Sequence, residues 1–350
     1  MSKSDVLLIS SSRFINHETP TGHPEQPARA MVMTRVADRW RSNGGRVVEP
    51  TPVETTALAR VHQEAYLAEV ASTAGRRVQL DPDTYASPET EVVARLAAGA
   101  AVSGVRYALE KNRPAVAFVR PPGHHAERDR AMGFCLYNNA AIAAAHALSR
   151  GLERVLIIDY DVHHGNGIQS IFYDDPRVLY ISTHQYPFYP GTGAVNELGR
   201  ASGTGFTVNI PLEAGAGDAD LDFMFRRIAL PIALDFQPQL VVVSAGFDAH
   251  VDDPLGGMRA TAEGFGTLTR LIYRLALDHC DGRMVIVTEG GYHLPALEAC
   301  LEATLVATAE QIRSLEEIPP VSGPTDVAEA ALGPILLAQT PYWPSISTSL

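Results

Sequence analysis

The stretch DYDVHHGNG, residues 159–167, places two carboxylates, two imidazoles and an amide directly after the apolar run VLII. Side chains alternate between the two faces of an extended strand, so Asp159, Asp161 and His163 point the same way, with neighbours about 6.5–7 Å apart. Asp161 and His163 can therefore bind one metal ion. Asp159 lies two residues earlier on the same face of the strand. It is better placed to orient a metal ligand than to bind the metal ion itself. Alternation points His164 the other way, and we interpret it as a structural residue.

A third metal ligand has to come from another strand, and Asp248 in SAGFDAH is the obvious candidate. Two carboxylate oxygens and one imidazole nitrogen leave a coordination position open for water. This donor set is typical of a catalytic zinc ion, or another borderline divalent ion, rather than of a closed structural site. The alternative is a strand end held only by ion pairs and hydrogen bonds, which rarely concentrates so many aspartates and histidines.

His124 and His125 follow a Pro-Pro-Gly turn after another apolar run. Imidazoles titrate near the working pH of most enzymes, so an adjacent pair beside a metal site can serve as general base and general acid. Asp159 can orient one ring and Asn166 the other. A carboxylate partner raises the basicity of its imidazole and an amide does not, so the two rings should differ in proton affinity.

Tyr292 follows Gly290 and Gly291, which allow the backbone to come close to the same site. A phenol that donates a hydrogen bond opposite the metal can stabilise an oxyanion. A tyrosine after two glycines is otherwise more often a packed aromatic residue. Its place at the end of an apolar run favours the catalytic role.

The elements that must position these residues follow from eight strand-like apolar runs, at residues 6–10, 46–49, 115–119, 154–159, 178–182, 206–210, 240–246 and 284–290. Helical patterns alternate with them, at 25–42, 57–74, 88–111, 138–150, 218–235, 261–279 and 294–312, with a further short helix at 326–338. This alternation predicts an α/β fold with a parallel sheet and helices on both faces. We predict one domain over 1–350, in which 313–350 is a C-terminal extension packed on the body. Five of the runs end in polar, glycine-rich turns, which places the site at the carboxyl ends of the strands.

The composition of the 350-residue chain, 46% hydrophobic and 19% charged, is ordinary for a globular protein. The formal net charge of −12 argues against non-specific nucleic-acid binding, which requires a basic face. Three cysteines are too few and too scattered for a disulfide framework or a cysteine-based zinc site. We find no signal-peptide pattern and no run of about 18 apolar residues, and therefore expect a cytoplasmic protein without a membrane span.

The motifs RPPGHHA, DYDVHHGNG, HQYPFYPGTG, SAGFDAHVDDPLGG and EGGY, in this order, resemble the zinc-dependent histone deacetylase superfamily. That superfamily includes bacterial class II-like histone deacetylase-like amidohydrolases, acetylpolyamine amidohydrolases and acetoin-utilisation proteins. The resemblance runs from HETPTGHPEQPAR, residues 17–29, to EGGY, and implies an arginase-like domain with a central eight-stranded parallel sheet. It implies zinc on Asp161, His163 and Asp248, although Fe²⁺ or Co²⁺ fits the same ligands. It also implies catalytic roles for His124, His125, Asp159, Asn166 and Tyr292.

The resemblance further implies one or two structural potassium ions. The first would be bound by Asp159, Asp161, His163, Ser182 and Thr183, and the second, more peripheral one by Phe172, Asp175, Val178 and Phe206. It implies that Phe134 and Tyr189 form the aromatic walls of an acyl-lysine tunnel, which Gly133 and Gly290 help to line, with Arg29 near its base. At the rim, Asp81 or Asp83 can hold a substrate backbone or amine, and a simple turn role is the alternative.

We therefore predict a deacetylase that hydrolyses the acyl-amide bond of N-acetyl-lysine side chains to free amine and acetate. The enzyme alternatives are an acetylpolyamine amidohydrolase, a deacylase of longer acyl groups, and an arginase-type ureohydrolase, whose two manganese ions need more aspartates than DVHHGNG offers. A catalytically silent acyl-lysine binder is the alternative outside enzymes. Asn166 together with FDAH and DPLG resembles the class II branch, and Tyr292, where some members carry His, favours an active enzyme.

The expected partner is an acetylated lysine in a peptide or protein, or an acetylated small amine, with neither nucleic acid nor membrane. A homo-oligomer is compatible with the sequence. The physiological substrate, the oligomeric state, the native metal and the division of acid and base roles between His124 and His125 are not fixed by the sequence.

Overall fold

Ten strands occur in the computed structural model, which describes residues 3–310, 313–323 and 325–348. They are β1 (Leu7–Ile9), β2 (Arg46–Val48), β3 (Val78–Asp81), β4 (Thr84–Ala86), β5 (Ala115–Ala117), β6 (Val155–Asp159), β7 (Val178–Gln185), β8 (Thr207–Leu212), β9 (Leu240–Ala245) and β10 (Met284–Thr288). Eight of them form one parallel sheet in the order β2-β1-β5-β10-β9-β6-β7-β8. The other two, β3 and β4, pair as a small antiparallel hairpin.

The helices lie on both faces of this sheet. They are α1 (Ala28–Ser42), α2 (Thr55–Leu58), α3 (Glu64–Ala71), α4 (Thr90–Lys111), α5 (Asn139–Ser149), α6 (Asn166–Phe172), α7 (Asp218–Met224), α8 (Leu230–Phe236), α9 (Ala262–His279), α10 (Leu294–Ala309), α11 (Asp326–Gln339) and α12 (Ser345–Thr348). A π-helical turn, Phe225–Ala229, joins α7 to α8. Helices α2–α6 cover one face, and α1 and α7–α11 the other.

Strand β6 shows why the central runs are apolar throughout. Its residues are all buried, and they alternate between two cores: Val155 and Ile157 pack on one face of the sheet, and Leu156 and Ile158 on the other. A strand covered on both faces has no position for a polar residue before its end. The first polar residue, Asp159, therefore marks the edge at which chemistry can begin.

Each of the eight predicted runs overlaps one strand of the parallel sheet, so the predicted fold class is confirmed. Strands β7 and β8 extend beyond their predicted runs, to Gln185 and Leu212. The helix expected over 57–74 is instead two helices, α2 and α3, separated at 59–63. The break lets His62 turn inward, where its Nδ1 lies 2.8 Å from the Glu127 carbonyl oxygen and its Nε2 accepts the N–H of Asn138 at 3.0 Å. Helix α6 and the β3–β4 hairpin are not anticipated by the sequence patterns.

Helix α4 is long and apolar enough, by length and composition, to cross a membrane. The sequence predicts a helix at 88–111 but no membrane span. In the structure 67% of its most apolar window is buried, and the helix packs against α5, β5 and β10. These contacts are those of a core helix in an α/β fold.

The C-terminal segment lies along the outer strand β8. Helix α11 packs on β8 and α7, the Gln339 Nε2 donates to the Thr207 carbonyl oxygen at 3.1 Å, and the Trp343 Nε1 donates to that of Gly205 at 2.8 Å. Within the predicted extension 313–350, residues 324, 349 and 350 lie outside the described residues, as do residues 1, 2, 311 and 312 of the predicted domain.

Candidate active site

The carboxyl ends of three neighbouring strands bring the polar residues together. Asp159 at the end of β6 is in register with Ser182 of β7 on one side and with Ser244 of β9 on the other. Asp161 and His163 follow β6 directly, and Asp248 follows β9. A Cβ atom on Gly246 would collide with the Asp161 carboxylate, so this glycine is required by space and not by backbone conformation.

Asp161, His163 and Asp248 form a cluster whose three ligand atoms lie within 4.8 Å of one another. The His163 Nδ1 is 3.1 Å from a carboxylate oxygen of each aspartate. The remaining oxygens are oriented by backbone donors, since Asp248 Oδ1 accepts the N–H of Val162 and Asp161 Oδ2 that of Gly290, both at 2.9 Å. Because these groups already hold both carboxylates in place, the cluster is preorganised for a ligand.

The chemistry of this cluster fits a divalent cation. Burial, followed by the charge of Asp161, raises the pKa of the Asp248 carboxyl to about 7. Two buried carboxylates that repel each other are relieved by a positive charge between them. The donor set of two oxygens and one imidazole nitrogen suits zinc or a similar borderline ion.

The two adjacent histidines have different partners. The His124 Nδ1 lies 3.1 Å from Asp159 Oδ2, and the His125 Nδ1 lies 2.7 Å from Asn166 Oδ1. Both rings are buried, and their centroids are 4.0 Å apart. One imidazole thus faces a carboxylate and its neighbour an amide.

This difference separates their protonation states. Burial lowers the pKa of His124, but the charges of Asp161 and Asp159 outweigh it and raise the pKa to about 10. Burial and the nearby imidazoles of His124 and His163 hold the pKa of His125 well below its usual value. These surroundings therefore favour the protonated form of His124 and the neutral form of His125.

Tyr292 faces the cluster from the end of β10. Burial, followed by the charge of Asp248, raises the pKa of its phenol well above the usual value, so the hydroxyl stays protonated and can donate. The Arg29 guanidinium lies 5.0 Å from the centre of its ring. Arg29 also donates to the carbonyl oxygens of Glu289 (2.5 Å) and Gly291 (2.7 Å), which fixes the turn below the ring.

A cavity of about 480 Å³ opens onto these groups. His125, His163 and Tyr292 form its bottom, and the rings of Phe134, Phe188 and Tyr189 form its walls. Phe188, which the sequence did not single out, stacks on His163 with centroids 5.4 Å apart and planes inclined by 15°. Tyr189 stands edge-on to His125 at 5.2 Å. Aromatic walls of this kind suit a slender apolar chain.

The β3–β4 hairpin positions one wall. Phe134 has a left-handed φ of 68°, and its N–H donates to the Thr84 hydroxyl at 3.0 Å. The preceding Gly133 N–H donates to Asp83 Oδ1 at 3.1 Å. A phenylalanine rarely adopts this conformation, so the hairpin has to hold it.

Of the two rim aspartates, Asp83 lines the cavity and Asp81 does not. Asp81 Oδ1 accepts the Asp83 N–H at 2.9 Å, which is a turn contact. Burial and the hydrogen bond with Asp81 raise the pKa of Asp83 to about 6. Gly290 lies below the tunnel wall, where a Cβ atom would collide with the Asp248 carboxylate.

The residues implied for potassium gather at two places. Ser182 lies beside Asp159 and its hydroxyl contacts His184 Nδ1 at 2.8 Å, while the buried Thr183 hydroxyl has no hydrogen-bond partner within the described residues. At the second place, where α6 leads into β7, the carbonyl oxygens of Phe172, Asp175 and Phe206 accept the N–H groups of Asp175, Val178 and Tyr180. Potassium at either place stays a prediction.

His164 contacts the Thr192 hydroxyl through Nδ1 at 2.7 Å and Gln169 Oε1 through Nε2 at 3.1 Å, and it does not join the metal cluster.

Three buried carboxylates that the sequence did not single out also lie near the site: Glu25, Asp253 and Glu289. Glu25 pairs with Arg29 at 2.8 Å and, through Oε2, with Arg120 at 2.7 Å. The four-residue spacing between Glu25 and Arg29 is the sequence signal from which this ion pair could have been predicted.

Comparison with known proteins agrees with this geometry. A family model described as "Histone deacetylase domain" matches residues 23–308. A "Probable deacetylase" of Archaeoglobus fulgidus is 39% identical over 81% of this chain and 80% of its own length. "Polyamine deacetylase HDAC10" of Homo sapiens is 46% identical over 76% of this chain, which is 40% of that protein. The crystal structure of the HDA15 HD domain superposes with a TM-score of 0.91 at 35% identity, covering 99% of this chain and 97% of that one.

Proposed function

This chain belongs to the histone deacetylase family and is a hydrolase that acts on amides, and we propose that its substrate is the N-acetylated side chain of lysine. The observation that carries the proposal is the cavity, which combines a polar bottom with aromatic walls. Its bottom presents a base, His125, and a hydrogen-bond donor, Tyr292, and the acid, His124, lies directly behind the base. These are the groups that amide hydrolysis needs. Its walls accept the uncharged alkyl chain of an acylated lysine.

Asp161, His163 and Asp248 would hold the zinc ion on which the family generally depends. Such an ion, when bound, supplies a Lewis acid for the acyl carbonyl and makes water more acidic. We assign to His125 the role of taking the proton from the attacking water, because its ring is neutral. Tyr292 donates to the acyl oxygen as that oxygen gains negative charge.

His124 completes the reaction by giving a proton to the leaving amine. Its ring is protonated because Asp159 and Asp161 favour the charged form. Without this proton the departing group would be an amide anion, which is a poor leaving group in water. Acetate and the free lysine amine are then the products.

The mouth of the cavity favours a peptide over a polyamine. An acetylpolyamine carries further ammonium groups, which need carboxylates outside the tunnel. Among the described lining residues, Asp83 is the carboxylate at the mouth, and one of its oxygens already accepts the Gly133 N–H. Pro254 and Leu255 also line the cavity and offer no charge. An acetylpolyamine is the second candidate, favoured by the 46% identity to a relative described as a polyamine deacetylase.

The test is acetate release by the zinc-loaded protein. An acetyl-lysine peptide, N-acetylputrescine and N-acetylspermidine are compared under identical conditions, together with a peptide that carries a longer acyl group. We expect the highest kcat/KM for the acetyl-lysine peptide. A higher value for either polyamine, or for the longer acyl group, would overturn the proposed substrate, and turnover of none would indicate a silent acyl-lysine binder.

A further inference from the structure

The loop that carries Tyr292 is held by side chains from distant parts of the chain. Two of its N–H groups, those of Tyr292 and His293, donate to Asp253 Oδ2 at 2.6 and 3.1 Å. The N–H of Gly290 donates to Asp161, and Arg29 binds two of its carbonyl oxygens. A loop without regular structure is thus fixed by charged groups, and its conformation depends on them.

Asp253 lies five residues after Asp248 and is 6% exposed. It does not line the cavity, so it does not meet the substrate. Besides the two N–H groups of the tyrosine loop, it accepts the N–H of Leu255 through Oδ1 at 3.0 Å. One carboxylate therefore connects the loop of Tyr292 to the mouth of the cavity.

Glu289 lies at the other side of the same loop and is fully buried. Its Oε2 accepts the N–H groups of Gly123 at 2.5 Å and His124 at 3.1 Å. Its Oε1 accepts the Ser244 hydroxyl at 3.3 Å. The backbone from which the two histidines project is thus anchored to the end of β10.

Resting on the proposed deacetylase function, we propose that Asp253 and Glu289 are positioning residues: Asp253 places Tyr292, and Glu289 places the His124–His125 pair. Neither touches the substrate or contributes to the metal cluster, and each acts through backbone N–H groups. Displacement of a reacting group by about 1 Å costs on the order of a hundredfold in rate. Both contacts join segments that are far apart in sequence, 39 residues for Asp253 and Tyr292 and 166 for Glu289 and Gly123.

Replacing each carboxylate by its amide should give opposite results at the two positions. Both oxygens of Asp253 face backbone N–H groups, which cannot accept a hydrogen bond, so Asp253→Asn places an NH₂ against an N–H. Oε1 of Glu289 faces a hydroxyl, which can turn and accept from an amide. Glu289→Gln therefore keeps every contact, whereas Glu289→Ala removes them all.

The experiment measures kcat, KM and zinc content for these three variants on the acetyl-lysine peptide. We expect kcat of Asp253→Asn and Glu289→Ala to fall about 10- to 100-fold with KM nearly unchanged, and that of Glu289→Gln to fall by no more than about threefold. Zinc content should stay at the wild-type value in all three. Asp252→Asn, the same change at the exposed neighbour, is the control and should keep full activity.

Hydrogen exchange separates this proposal from the proposed function, because it needs no turnover. In Asp253→Asn the amides of Tyr292 and His293 should exchange faster than in the wild type, with the melting temperature of the protein nearly unchanged. Unchanged exchange at these two amides, or equal kcat in Asp253→Asn and Asp252→Asn, would overturn the role of Asp253. A Glu289→Gln variant as slow as Glu289→Ala would overturn that of Glu289. If the wild type releases no acetate, the proposed function fails while the exchange data still decide the role of Asp253.

Discussion

At the bottom of the cavity and directly behind it, side chains are buried and held by partners from other segments, as His125, His124, Asp161 and Asp248 are. At the mouth, by contrast, Tyr189 is 39% exposed and held mainly by ring contacts. The bottom rests on parallel strands whose register is fixed. The mouth is made of loops and one short hairpin.

This difference indicates that the two regions control different steps. Protonation states at the bottom are set by fixed neighbours, so changes there should alter kcat and its pH dependence. Contacts at the mouth are apolar and less constrained, so changes there should alter KM and the choice of substrate. The distinction would fail if a substitution at the bottom altered mainly KM, or if a substitution at the mouth altered mainly kcat.

The largest effect is expected from Tyr292→Phe. This change removes the hydrogen bond to the developing negative charge and leaves the ring in place. Loss of one such donor costs about 10²–10³ in kcat. Zinc content, measured on the same samples, should not change, since Tyr292 is not part of the metal cluster. Undiminished turnover at equal zinc content would contradict this role.

A smaller effect is expected from Asn166→Asp, which gives His125 a carboxylate like that of its neighbour. The new negative charge beside Nδ1 raises the pKa of His125. Because a base acts only when deprotonated, the acidic limb of the kcat/KM profile should move to higher pH. At a pH below both limbs, the loss should be about tenfold for each unit by which the limb moves.

The control for this shift is Asp159→Asn, the reverse exchange at His124. It lowers the pKa of His124, so the basic limb should move to lower pH as the acid loses its proton earlier. If neither limb responds, the two rings do not have the roles of base and acid.

Phe134→Ala tests the mouth. Removing the ring withdraws an apolar surface from the substrate chain, which is worth roughly 1.5–3 kcal/mol when fully buried and less at an open wall. KM should therefore rise about tenfold with kcat changed much less. Steady-state kinetics on the acetyl-lysine peptide measure both. A loss confined to kcat would mean that the contact with Tyr292, at 5.7 Å between centroids, matters more than the wall itself.

The smallest effect is expected from Leu255→Glu, which adds a carboxylate beside the cavity. The ratio of kcat/KM for N-acetylspermidine to that for the peptide should rise about fivefold, because a solvent-exposed ion pair contributes at most about 1 kcal/mol. Leu255→Gln is the matched uncharged variant and should leave the ratio unchanged. Equal ratios in both variants would show that charge at the mouth does not select the substrate.

The eight strands of the sheet could be predicted because burial on both faces leaves an uninterrupted apolar run that ends where the strand ends. The residues that follow β5, β6, β9 and β10 could be predicted to converge for the same reason, since parallel strands end at one edge. Helices α2 and α3 are predicted as one helix over 57–74 because no local sequence signal interrupts the helical pattern there. The helix is interrupted where His62 turns inward to bind Glu127 and Asn138, which lie on other segments and cannot be read from the local sequence.

The supports of the site could not be predicted in this way. Glu289 and Asp253 act on backbone N–H groups, which any residue provides, so their partners leave no signature in the sequence. The β3–β4 hairpin is too short to show a strand pattern, yet its Thr84 and Asp83 hold the wall of the tunnel. Sequence patterns report the chemistry of side chains and the burial of strands, and they are silent on contacts made to the main chain.

The C-terminal segment that lies along β8 affects how the chain should behave in solution. The residues that bind the carbonyl oxygens of Gly205 and Thr207 lie beyond 23–308, the part that matches the family model. An outer strand stripped of such a cover offers unpaired backbone groups to any other strand. A chain cut after residue 310 should therefore keep its catalytic face and lose its solubility, since aggregation through β8 competes with the folded state. We therefore expect the C-terminal helices to contribute to the solubility of the protein rather than to its chemistry.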